Sequence, residues 1–360
     1  MAHVLDKYQI TRKLASRLIA PSDDWFRFHL SISILCIGVS AIVSNVAASV
    51  LVTAMIGSNQ KRALLTIAFA CNIGGMILPI ASPQNLIAIA SLHHPTITFY
   101  DWMIFSVPMC AFGIVIAYMV LQHRFGSISA LNRDDDIELS KTPIPQSPRN
   151  NVRFKFTPND QIVVSVVVGI TVLGWIFFDQ ILSQIFSHMG IWGIFTMSFL
   201  FAFGYLGQSD WQNGIPWHVV ALLGGGLVLG EAVKVSGLLD AFHLPTHSSS
   251  WLIYNGTLLF VGLVANFLSS TVCALVTMPV VAKIGIAVEH PKLFVIAAAI
   301  MTSGAMSLPV SSFPNANAAA VALNQELTTR DFIRTGGPIT GLIWLTLVTF
   351  GFVYGIVLGL

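Results

Sequence analysis

Two distant stretches of the chain carry the same oxygen-bearing residues at the same spacing. Leu78-Pro79-Ile80-Ala81-Ser82-Pro83-Gln84-Asn85 is echoed by Leu308-Pro309-Val310-Ser311-Ser312-Phe313-Pro314-Asn315, a shared Leu-Pro-Ile/Val-x-Ser-x-x-Asn core. The likeness starts slightly earlier, at Gly74-Gly75-Met76 and Gly304-Ala305-Met306. Each copy follows a short polar interruption of an apolar run. Ser44, beside Asn45, lies 35 residues before Pro79, and Ser269, leading Ser270 and Thr271, lies 40 residues before Pro309. A proline in a helix removes a backbone donor and frees carbonyls that lipid cannot satisfy, so such a break is tolerable only where it lines a cavity or binds something. Broken helices do two jobs there. N-terminal ends present amides and a positive dipole to an anion, while unwound carbonyls coordinate a small cation.

None of these four segments carries an ionisable side chain, although a proton relay or a fixed cationic anion trap would need one. What they offer is neutral oxygen: Ser44, Asn45, Ser82, Asn85, Ser269, Ser270, Thr271, Ser311, Ser312 and Asn315, together with backbone carbonyls. Hard oxygen ligands suit an alkali cation such as Na+, whose charge offsets a bound anion. The expectation is that cation and anion bind together, with no cofactor beyond that coupling ion.

The elements that must position these residues are membrane helices. With 55% hydrophobic and 9% charged residues and a mean hydropathy of +0.77, the composition excludes a cytosolic enzyme and a nucleic-acid binder. Apolar runs fall at about 28–56, 63–92, 102–122, 161–182, 191–207, 216–240, 251–281, 293–323 and 336–358. The 33 residues between Arg27 and Lys61 are too many for one upright span and too few for two. Their midpoint is polar and both flanks are cationic, so 28–56 is expected to be a re-entrant hairpin with both ends in the cytoplasm, and 251–281 its counterpart from the opposite side. That scheme places fifteen of the eighteen Lys and Arg residues on the cytoplasmic side, leaving Lys234, Lys283 and Lys292 outside or interfacial. The expected organisation is a cytoplasmic segment over 1–27, a partial first repeat over 28–122, a hydrophilic linker over 123–160 and a second repeat over 161–360. The fold class is therefore an all-α polytopic membrane protein, an inverted-repeat secondary transporter with two re-entrant hairpins and two broken helices.

At these residues the chain resembles the divalent-anion/sodium symporter family of the ion-transporter superfamily, and most of all the fungal low-affinity phosphate transporters that carry an SPX domain. The family's hairpin-tip Ser-Asn-Thr corresponds to Ser44-Asn45-Val46 and Ser269-Ser270-Thr271, and its broken helices to Leu78–Asn85 and Leu308–Asn315. The run from Leu222 to Glu231 is similar to a family arm helix. The resemblance implies one cation site at Ser44, Asn45, Gly75 and Ser82, and a second at Ser269, Thr271, Ser311 and Ser312. It puts the anion between the tips, on Asn45, Ser270, Thr271, Asn85 and Asn315. Val46 and Ser270 replace the family's threonine and asparagine, which argues against a dicarboxylate and for a compact oxyanion, phosphate by preference.

The resemblance also implies scaffold spans and a regulatory region ahead of residue 28, so the chain is expected to be N-terminally truncated. Its expected partners are a small inorganic anion, membrane lipid and a second copy in a homodimer, with no nucleic acid; the expected location is the plasma or vacuolar membrane. The alternatives to Na+- or H+-coupled phosphate transport are a dicarboxylate, citrate or sulfate symporter, or a non-transporting fragment associating with an intact relative. No enzyme is expected, since Asp101 and Asp179 lie at helix ends rather than as a facing pair.

Overall fold

The apolar runs fold as helices because a bilayer leaves unpaired backbone no partner. The structure, a computed structural model, describes residues 2–8, 10, 25–56, 61–92, 94–125, 158–176, 189–214, scattered positions from 224 to 236, 249–322 and 327–360, all helical or irregular without a strand. Most of the 123–160 linker and of the 216–240 run lies outside the described residues.

Helix α1 (Ala2–Lys7) buries Val4 and Leu5 against α7 (Pro158–Ile176) and α8 (Met189–Ala202). Its Lys7 pairs with Asp210 at 2.7 Å in the short α9 (Gln208–Gly214). The first polar interruption turns the chain between α2 (Trp25–Ile42) and α3 (Asn45–Ile56). With 12 residues α3 is about 18 Å long at 1.5 Å per residue, well short of a ~30 Å hydrocarbon core. The hairpin leans on α4 (Lys61–Ile77), which stops at Ile77; α5 (Pro83–Ala90) resumes after a five-residue bend, and α6 (Phe99–Phe125) follows.

The second half repeats this order. Helices α10 (Ser250–Phe267) and α11 (Ser270–Ala287) form a hairpin turning at Leu268 and Ser269. Next come α12 (Pro291–Gly304), an extended stretch with a 3-10 turn at Pro309–Ser311, α13 (Phe313–Val321) and α14 (Thr329–Thr346). A π turn at Leu347–Gly351 joins α14 to α15 (Phe352–Val357), and Trp251 and Tyr254 donate to the Val348 and Leu347 carbonyls there. The second hairpin thus runs on to Ala287, six residues beyond the expected 281.

Among the described residues, four continuous helical segments are long and apolar enough to cross a membrane: Phe99–Phe125, Ser250–Phe267, Ser270–Ala287 and Thr329–Val357. The two helices that precede the breaks are buried instead: α4 from Arg62 to Met76 and α12 from Leu293 to Gly304. A helix apolar on every side belongs in the middle of a bundle. Contact is close enough to demand glycine. A Cβ on Gly74 would lie 2.7 Å from Ile37 Cα, and beside it Ser40 Oγ donates to the Cys71 carbonyl at 2.6 Å.

Contacts at the helix ends gather them into two groups. Lys61 lies 3.8 Å from Asp331 and Arg62 donates to Gln122 at 2.6 Å, so the starts of α4 and α14 share one end with the finish of α6. Lys292 and Asp101, 2.7 Å apart, join the starts of α12 and α6 at the other.

Candidate functional site

Each hairpin tip touches the break that follows it. In the first unit the Asn45 N–H points at the Ala81 carbonyl at 3.4 Å, and the Asn45 side chain packs on Gly75, where a Cβ would come within 3.1 Å of it. Gly75 O accepts from Ser82 Oγ at 2.9 Å and from Asn85 Nδ2 at 2.8 Å, and Asn85 Nδ2 also donates to Leu78 O at 2.9 Å. The Ser44 hydroxyl accepts from the Ala47 N–H at 3.1 Å, capping α3. Asn45, Gly75, Ser82 and Asn85 are thereby gathered around one unwound segment, while Ser44 precedes Asn45 at the tip with its hydroxyl on its own helix. Asn45 and Asn85 are buried, yet neither Oδ1 has a hydrogen-bond partner among the described residues. Each buried orphan acceptor costs about 1–3 kcal/mol unless an ion or water meets it.

The second unit is built alike. Ser269 caps α11 through the Val272 N–H, and Ser270 Oγ donates to the Ser311 carbonyl at 2.9 Å. Asn315 Nδ2 donates to Leu308 O at 3.0 Å, to Met306 O at 3.2 Å and to Ser311 Oγ at 3.3 Å. Ser312 Oγ caps α13 by accepting the Asn315 N–H at 3.3 Å. Thr271 sits half-buried in the first turn of α11, next in the chain to Ser270.

The long helix after each break supplies donors to the freed carbonyls. From α6, Trp102 Nε1 donates to Met76 O at 2.9 Å and Ser106 Oγ to Ile77 O at 2.8 Å. From α14, Thr340 Oγ1 donates to Gly304 O at 3.0 Å and accepts the Met306 N–H at 2.9 Å. Trp102→Phe keeps most of the ring but orphans a buried carbonyl, so it should destabilise the chain by about 1–3 kcal/mol. Thermal melting in detergent reads this as a lowered midpoint, and an unchanged midpoint would show that the indole bond is idle.

The units interlock crosswise: α5 packs on α11 and α12, and α13 packs on α3 and α4. Gln84 Nε2 donates to Ser303 Oγ at 2.9 Å, and Asn72 Nδ2 donates to Ser312 Oγ and Asn315 Oδ1, both at 3.0 Å. Sequence reasoning missed Asn72, Ser303, Thr340 and Asn266, whose Oδ1 accepts the Ser307 N–H at 2.9 Å. Their only signal was a polar side chain inside an apolar run, which by itself does not say what it faces.

The amino-acid sequence is similar to those of known proteins. A profile described as "Citrate transporter" matches residues 1–246. The chain belongs to the citrate transporter family. An uncharacterized transporter of Schizosaccharomyces pombe is 31% identical over 98% of this chain and 41% of its own length. The low-affinity phosphate transporter PHO90 of Saccharomyces cerevisiae is 30% identical over 87% of this chain and 36% of its own. The sodium-dependent high-affinity dicarboxylate transporter 3 of Caenorhabditis elegans is 27% identical over 70% of this chain and 50% of its own. The chain thus spans half or less of the length of these relatives. This membership confirms the relationship to the divalent-anion/sodium symporters read from the motifs. The family's members are transporters, not enzymes, and the chain is an integral, multi-pass membrane protein.

Proposed function

We propose that the chain forms the substrate-binding part of a secondary carrier that moves phosphate with a cation, Na+ or H+, by alternating access across the plasma or vacuolar membrane. The observation that carries this reading is the paired unit of hairpin tip and broken helix, with two orphaned carboxamide oxygens buried in its first copy. An uncharged oxygen cluster attracts a cation without a permanent counter-charge, and the bound cation then compensates the anion. The anion would sit at the N-terminal ends of α3 and α11, whose first-turn amides and dipoles favour negative charge. The cross-links at Gln84–Ser303 and Asn72–Asn315 would make both units move as one body, each serving one side of the membrane.

Phosphate is supported by the small neutral tips, with Val46 and Ser270, and by the name of the PHO90 relative. A dicarboxylate or citrate is the second reading, favoured by the family description and by the dicarboxylate transporters among the relatives. The test is uptake of labelled phosphate into proteoliposomes holding the full chain, with Na+ outside or with choline in its place at fixed pH. Uptake at least about tenfold faster with Na+ is expected; a tenfold effect corresponds to about 1.4 kcal/mol. Equal rates with Na+ and choline would remove Na+ coupling, and uptake of labelled succinate or citrate without phosphate uptake would favour the second reading. Flux of neither anion would favour a fragment that works only with a longer relative.

A further inference from the structure

The two breaks match in sequence but not in hydrogen bonding, and the difference falls on Asn72. Asn85 and Asn315 occupy equivalent places, and each donates through Nδ2 to the leucine carbonyl seven residues earlier, Leu78 O at 2.9 Å and Leu308 O at 3.0 Å. Those bonds orient both carboxamides, because the reverse orientation would press Oδ1 against carbonyl oxygens. Each Oδ1 therefore faces away from its own break. In the first unit it meets no donor among the described residues, and neither does the Oδ1 of Asn45, whose side chain packs on the same Gly75 that Asn85 Nδ2 bonds. In the second it accepts from Asn72 Nδ2, which also reaches Ser312 Oγ.

Asn72 is 1% exposed, on the buried α4. The repeat register, Gly74 with Gly304, pairs Asn72 with Thr302. Thr302 spends its hydroxyl on Ala299 O at 2.8 Å, within its own helix, so it does not return the bond to the first unit. A carboxamide N–H2 has only donors to offer and carries partial positive charge. The oxygens it satisfies are closed to a metal ion unless the amide withdraws.

We propose that the two units are chemically unequal: the first takes the coupling cation through Asn45 Oδ1 and Asn85 Oδ1, while in the second the Asn72 amide stands in the cation's place on Ser312 and Asn315. The consequence is one cation per anion rather than two. This rests on the cation-coupled reading above and goes beyond it in assigning unequal roles.

The test uses the full chain in proteoliposomes, measuring phosphate uptake against Na+ concentration, with equilibrium binding of radiolabelled Na+ to the purified chain at saturating phosphate. The native chain is expected to bind one Na+ and to give a Hill coefficient of about one. Asn72→Asp turns the donor into an anionic acceptor of the same shape beside two oxygens, so binding should rise to two. Asn72→Ala, which simply vacates the position, should move the same way, and Asn85→Ala should lose Na+ binding altogether. Two Na+ bound by the native chain would overturn the inequality and leave the transport reading standing. So would one Na+ bound by both Asn72 variants when their melting curves match the native chain. Phosphate uptake by a native chain that binds no Na+ would instead remove the sodium reading, and this inference with it.

Discussion

Gly336→Ala is expected to abolish phosphate uptake, while Gly337→Ala next to it leaves uptake intact. The Cβ added at Gly336 would press directly on the Met306 carbonyl oxygen and lie 2.7 Å from its carbon. Both obstacles are backbone, so no rotamer change relieves the clash, and either α14 or the second break must shift. Met306 O accepts from Asn315 Nδ2, and Met306 N donates to Thr340, one turn along α14 from Gly336. Displacing that residue strains the whole second unit. Overpacking costs about 1–3 kcal/mol, and a misplacement of about 1 Å at a binding centre costs far more in rate than in stability. Uptake should fall more than about tenfold with a lowered melting midpoint. At Gly337 an added Cβ meets no described atom within 4 Å, and alanine is the better helix former by up to about 1 kcal/mol. Equal behaviour of the two variants would mean that α14 does not press on the break.

Asn85→Ala should be comparably severe, for a different reason. It removes the donor that ties Gly75 O to Leu78 O and the buried Oδ1 assigned to the cation. Leu78 O would lose that bond, at about 1–3 kcal/mol, and the unwound segment would lose its brace. The expected result is loss of phosphate uptake with the chain still assembled in the membrane. Asn85→Asp separates the two roles. An ionised carboxylate would set a negative oxygen against two carbonyls, whereas a protonated one can donate to one of them. Its uptake relative to the native chain should therefore rise as pH falls and the acid form gains. A ratio flat in pH would show that the donor role at position 85 is not what the site needs.

Much of this site is legible in the amino-acid sequence, because bilayer physics makes polarity conspicuous. Ser44-Asn45, Ser269-Ser270-Thr271 and the two Leu-Pro-x-x-Ser-x-x-Asn segments stand out in apolar surroundings, and they mark where the helices turn or stop. The hairpin over 28–56 is readable from length and flanking charge. Individual roles are less so. Ser44 and Ser269 read as cation ligands, and both hydroxyls accept an N–H of the helix they begin. Asn72 and Asn266 look like any polar residue in a helix, yet one closes the second unit and the other pins Ser307.

Residue types and their order suffice to place this chain in lipid, to show that its helices are interrupted twice in the same way, and to show that those interruptions carry neutral oxygen. These are local properties, set by side-chain polarity and by proline's missing donor, and no fold is needed to read them. Which oxygens are spent and which remain is a matter of packing in three dimensions. It depends on how closely two helices approach, and on whether Asn72 of one unit reaches across to Asn315 of the other. Gly336 and Gly337 are alike as letters, and one of them alone meets a carbonyl, because only one face of a helix can be turned inward.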